Sequence, residues 1–238
     1  MRTMMIAAML MGTAVPVAAQ TGVIHAKTAD YEFTYRYPAA VARFPALRAM
    51  LDAEARTLRT KTAQGAAAER RDAKGSDFPF RPYSYEKTWK MVTDTPRFLS
   101  LSSDSYNFTG GAHGQPGSSA LLWDKAAGRR LDTKSVFTSV AALQGATRSD
   151  YCARLKAEQI RRNQGGELSS MNACPPLKDL TLLLGSSNGR AIDRIGLIAD
   201  PYVAGSYAEG SYEVTLPVNR AVLAAVKPAY RGAFALGR

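Results

Sequence analysis

Aromatic and polar residues alternate along Tyr31-Glu32-Phe33-Thr34-Tyr35-Arg36-Tyr37, a period of two that predicts a half-buried strand ended by Pro38. The period then changes. Leu47, Met50, Leu51, Ala55 and Leu58 recur at three- and four-residue intervals, predicting an amphipathic helix with Pro45 in its first turn. It fades either at Gln64-Gly65 or within the charged run Glu69-Arg70-Arg71-Asp72. After a loop over residues 75–82, alternation returns over 83–93, with Tyr83, Tyr85, Lys87, Trp89 and Met91 on one face. It continues over 97–109, with Phe98, Ser100, Ser102, Asp104 and Tyr106 together. The short Asp94-Thr95-Pro96 turn joins these two strands into an antiparallel hairpin. Residues 118–124 add a third strand, turned at Lys125-Ala126-Ala127-Gly128 into Arg129-Arg130-Leu131.

Downstream the pattern predicts a short helix over 135–143 and another over 150–162, with Ser149 as its N-cap. A polar loop spans 163–176. Strands are expected over 177–184, 190–199 and 211–216, and Asn219 caps a last helix over 220–226 that Pro228 stops. The whole reads as an α+β fold of antiparallel sheets packed with amphipathic helices.

Composition adds a compartment. A basic start at Arg2, an apolar run from Met4 to Val17 and the small residues Ala18-Ala19 read as a secretory signal over 1–19, cleaved before Gln20. The run is too short, and too interrupted by Gly12 and Pro16, for a membrane span. The expected location is periplasmic or secreted, with no membrane span after cleavage. The two cysteines, Cys152 and Cys174, then read as one disulfide, with a pair of buried thiols as the other possibility. Neither has a second Cys or a His at ligand spacing, so a metal site is not expected there. The formal charge of +11, of which Arg2 leaves with the signal, suits an anionic envelope polymer or an acidic protein. No nucleic-acid module is present, and no nucleic-acid partner is expected.

The chemistry concentrates in two loops. Gly110 and Gly111 close a strand and permit a backbone corner, and His113 follows. His113 reads first as a brace for that corner. The competing role is a base or ligand working with Asp104, Asp124, Asp200 or Glu209. No clustered His or carboxylate motif supports a metal, no Gly-x-Ser-x-Gly supports serine catalysis, and no cofactor is expected. His25, the other histidine, falls in an N-terminal stretch read as flexible. The second loop, 200–210, carries Tyr202, Tyr207 and Glu209 among glycines. Packing over a sheet edge and recognition of a ligand are equally compatible with it. Candidate binding residues are therefore Gly110, Gly111, His113, Tyr202, Tyr207 and Glu209.

Four segments carry a resemblance: YNFTGGAHG (106–114), LLWDKAAGRRL (121–131), DPYVAGSYAEGSYEVTLPV (200–218) and the closing helix. They resemble the C-terminal domain of the lysozyme-responsive anti-sigma factor RsiV. The 31–58 strand and helix are similar to the smaller domain that accompanies the catalytic domain of the peptidoglycan deacetylase PdaC. The resemblance implies a division into 20–95 (PdaC-associated-like) and 96–238 (RsiV C-terminal-like). It also implies an exported, non-catalytic module that binds a cell-wall glycan such as peptidoglycan, or a lysozyme-like protein. The alternative is an envelope hydrolase or deacetylase acting on wall sugars through His113 and nearby carboxylates.

Overall fold

The computed structural model describes residues 20–75, 78–166 and 168–237; the expected signal segment lies outside them. Six strands form the larger sheet in sequence order: β1 (Gln20–Lys27), β2 (Tyr31–Pro38), β3 (Tyr83–Asp94), β4 (Phe98–Phe108), β5 (Gln115–Asp124) and β6 (Arg129–Leu131). All neighbours are antiparallel except β2 and β3, which run parallel with Tyr31 opposite Tyr83. A parallel pair needs a crossover. Helix α1 (Pro45–Asp72) supplies it, continuing through Gly65 to the end of the charged run. The expected boundary at 95/96 falls in the turn between the paired strands β3 and β4.

The N-terminal stretch is a strand, not a flexible lead. β1 forms the sheet edge, and His25 Nδ1 lies 3.1 Å from Thr34 Oγ1 across it. With β1 on one side and β3 on the other, β2 is an inner strand. Phe33 and Tyr35 are fully buried, and Thr34 on the opposite side is also buried.

The face that carries α1 holds one core, built from Phe33, Tyr35, Leu47, Leu51, Trp89, Leu101 and Trp123. Lys87 enters this core as well. Its ammonium donates to Glu54 Oε1 of α1 at 2.6 Å and lies 4.6 Å from the Trp89 ring. Tyr35 donates to the same carboxylate (3.0 Å) and accepts from Trp89 Nε1 (2.7 Å), so this polar cluster is satisfied. The aromatic face of β3 ends at a bulge between Met91 and Thr93, where Met91 is exposed and Thr93 buried.

A three-stranded antiparallel sheet packs on the opposite face. It comprises β7 (Thr181–Gly185), β8 (Arg194–Ala199) and β9 (Tyr212–Pro217). Its core takes Phe98 and Leu122 from the larger sheet. Helix α2 covers it and runs unbroken over Val140–Arg162, so the two expected helices are one, capped by Ser139 rather than Ser149. The chain from Thr133 to Val136 is a separate 3-10 turn capped by Asp132. Short helices α3 (Arg220–Ala225), with Asn219 as N-cap, and α4 (Pro228–Arg231) close the chain. Among the described residues no helix is long and apolar enough to cross a membrane. Cys152 and Cys174 form the disulfide, Cα atoms 5.5 Å apart, and Cys152 sits mid-helix rather than at a helix start.

Candidate functional site

Strand β4 ends at Phe108, and Gly110 turns the chain with φ +87°, a region that costs a residue with a Cβ appreciably. Gly111 needs no such freedom: a Cβ there would meet open space. Arg81 Nη1 donates to the Gly111 carbonyl (3.3 Å) and ties the corner to the start of β3. The tighter position is Gly114, where a Cβ would fall 2.2 Å from Tyr106 Cζ. The Tyr106 hydroxyl accepts from Gly114 N–H at 3.0 Å, so the ring lies along the backbone that only glycine allows so close. Sequence reading placed Gly114 in the right block but did not single it out; the visible signal was an aromatic eight residues upstream on the same hairpin.

The second loop arrives from the gap between β8 and β9 and meets the first. Tyr207 donates its hydroxyl to the Gly114 carbonyl at 3.0 Å. His113 Nδ1 donates to that same carbonyl at 3.0 Å, which places a proton on Nδ1. The two rings stack, centroids 4.0 Å apart at 30°. Tyr202 continues the run, its centroid 5.8 Å from that of Tyr207. Tyr202 also adopts φ +72° while remaining 49% exposed. A non-glycine residue in that region carries backbone strain. A Tyr202 N–H to Gly205 carbonyl bond of 2.9 Å holds it there.

Glu209 belongs to the scaffold beneath. Its Oε1 accepts from Ser206 N–H (2.7 Å), and its Oε2 accepts from Asn172 Nδ2 (2.8 Å) and from the Tyr212 hydroxyl. Burial pushes its pKa up, but the hydrogen bonds from Tyr212, Ser206 and Asn172 outweigh it and hold the carboxyl down at about 2. The carboxylate fixes the loop that displays the tyrosines.

The other carboxylates considered with His113 have partners elsewhere, although the second oxygen of Asp200, Oδ1, is buried without one. Asp104 is exposed and pairs with Lys90. Buried Asp124 accepts from Arg97 Nη2 at 2.8 Å and from the Ala126 and Ala127 amides; burial opposes its ionisation, and these partners still hold its pKa below the ordinary range. Asp200 Oδ2 accepts from Ser118 N–H at 3.0 Å. Among the described residues, no group of three or more His, Cys, Asp and Glu could hold a metal ion. The 110–114 loop also borders a cleft of about 470 Å³, whose lining includes Glu69, Asp72, Phe78, Arg81, Gly110 and Ala112.

Residues 24–115 match the family model described as Deacetylase PdaC. The PdaC-like region thus runs from β1 through the 110–114 loop to the first residue of β5. It contains His113 but not the tyrosine loop. A DUF3298 family member from Bacteroides fragilis NCTC 9343 is 16% identical, with a TM-score of 0.55 over 91% of this chain and 97% of that one. A DUF3298 family protein from Pseudomonas aeruginosa PAO1 is 18% identical, with a TM-score of 0.52 over 91% of this chain and 96% of that one. At these identities the likeness is one of fold. No curated protein matches the chain. The molecule therefore combines a PdaC-like region with a DUF3298-type fold.

Proposed function

We propose that this chain is an exported, non-catalytic binding module that recognises a cell-wall glycan on the face formed by His113, Tyr207 and Tyr202. One observation carries the reading. An exposed tyrosine is held in a strained backbone conformation at the end of a stack anchored by two hydrogen bonds to one carbonyl. Strain of this kind persists where the surroundings over-determine it, and it gathers at ligand clamps. Aromatic faces held in place bury area against a ring-shaped ligand at little entropic cost. The resemblance to the receptor domain of the anti-sigma factor adds export and an envelope ligand, and makes lysozyme the second partner to test.

The deacetylase in the matched family's name does not lead to a catalytic reading here. His113 is exposed, its Nδ1 is engaged by a carbonyl, and Glu209 is occupied by three donors. A histidine base is commonly oriented by a third group on its other ring nitrogen, and the side-chain hydrogen bond His113 makes is to the Gly114 carbonyl rather than to a carboxylate.

Calorimetric titration with soluble peptidoglycan fragments, and separately with lysozyme, tests the reading. Fragments bind wild-type protein, and Tyr202→Ala weakens them about tenfold, the effect of losing one aromatic contact. Thermal stability stays within about 0.5 kcal/mol, as expected for an exposed side chain. Acetate release from N-acetylated glycan is nil. Binding of lysozyme alone moves the ligand from sugar to protein. Binding of neither, or acetate release abolished by His113→Ala, overturns the proposal.

A further inference from the structure

Strand β6 is only three residues long and pairs with Leu122, Trp123 and Asp124 of β5. At Asp132 the chain leaves the sheet, because the Asp132 carboxylate caps the following turn through the Lys134 amide. Residues 118–121 of β5 consequently have no paired strand on the side away from β4 among the described residues. The vacated position is an open groove of about 580 Å³ between the two sheets, with β7 as its far wall. Ser118 Oγ and Thr181 Oγ1, 2.9 Å apart, tie the walls together at one point. The volume suits a small ligand or the end group of a larger one.

Two cations line this groove, and neither has a carboxylate partner among the described residues. Arg130 Nη2 reaches only the Ala120 carbonyl, at 3.4 Å. Lys134 Nζ donates to the Lys178 carbonyl at 3.0 Å. Other cations of this molecule that approach a sheet, Lys87, Arg97 and Lys125, each meet an acid. Asp132 is the single acid of the lining, and its carboxylate serves the Lys134 amide. Burial lowers the Lys134 pKa, while Asp132 and Asp179 act in the opposite sense. Lys134 is thus a partly desolvated ammonium, unlike a lysine on an ordinary solvated face. Ser119, Thr133 and Thr181 bring hydroxyls to the same walls.

We propose that this groove is an oxyanion site that takes the phosphate group of an anionic ligand, with Arg130 and Lys134 as its charged partners. A guanidinium and an ammonium lining one groove, with hydroxyls on the same walls, can satisfy several phosphate oxygens at once, and charge-assisted bonds of this kind are the strong ones. The site is separate from the tyrosine face and does not depend on it.

Amide chemical shifts recorded during titration with inorganic phosphate, against sodium chloride at matched ionic strength, test the proposal. Shifts concentrate at Ser119, Ala120, Thr133, Lys134 and Thr181. Arg130→Ala and Lys134→Ala each weaken the phosphate response about tenfold or more, the effect of losing one charge-assisted bond. Arg129→Ala, one residue away and outside the lining, leaves it unchanged. A parallel arm compares glycerol phosphate with vesicles of equal phosphatidylglycerol and phosphatidylcholine. A response to glycerol phosphate but not to vesicles assigns a soluble phosphate ligand, and a response at the same residues to vesicles as well assigns a lipid headgroup. Shifts that are absent, that spread over the basic residues of α1 and α2, or that survive both substitutions overturn the site.

Discussion

At Glu209, three donors converge on one carboxylate, and the loop above it displays Tyr202 and Tyr207. Its folded-state pKa of about 2 lies below the ordinary 4.5. The carboxylate therefore contributes stability that is whole above about pH 4.5 and is lost as pH falls toward about 2. Urea midpoints measured from pH 6 to 2 should fall across that window in wild type and fall less in Glu209→Gln. At pH 6 the substitution itself should cost about 1–3 kcal/mol, since one amide oxygen cannot accept all three donors. An unchanged pH profile would mean that the three bonds do not hold the ionised form. Sequence reading named Glu209 for ligand contact. In the fold its carboxylate is taken up by scaffold donors, and side-chain partners such as Asn172, distant in the chain, are invisible to spacing. The reverse holds for His113, where a glycine-bound corner already suggested the bracing contact that the Gly114 carbonyl supplies.

Among the elements, α2 departs most from the periodic pattern. The expected helices over 135–143 and 150–162 leave residues 144–149 between them, yet the helix passes through because Leu143, Thr147, Tyr151 and Leu155 share a buried face. Gly145 itself is exposed, with open space where a Cβ would stand. Gly145→Ala should therefore stabilise the protein by about 0.5–1 kcal/mol in urea denaturation. A loss of stability would contradict a continuous helix at that point. The disulfide closes a 22-residue separation from mid-α2 to the loop that reaches β7. Replacing both cysteines by alanine should cost roughly 3 kcal/mol, read as a lowered melting temperature that reductant no longer shifts. Strand β1 escaped notice because its alternation is weak: Val23 and Ile24 are adjacent, and only Ile24 and Ala26 pack toward the core. The parallel β2–β3 pairing escaped because periodicity shows that a strand exists, not which neighbour it meets. The β3–β4–β5 meander was legible because short turns leave its partners no choice.

At the scale of the whole molecule, one six-stranded sheet serves two cores, α1 on one face and the smaller sheet with α2 on the other. That sandwich brings residues 113 and 207, ninety-four positions apart in the chain, into ring contact. The meeting of the two loops needed the second sheet to pack where it does, and no local pattern encodes that placement. The central claim is that this meeting point is a recognition face. The most direct test is amide chemical-shift mapping of the intact protein during titration with a soluble peptidoglycan fragment. The account predicts saturable shifts centred on His113, Gly114, Tyr202 and Tyr207, lost in Tyr202→Ala. Saturable shifts centred elsewhere, with these four residues unmoved, would contradict it.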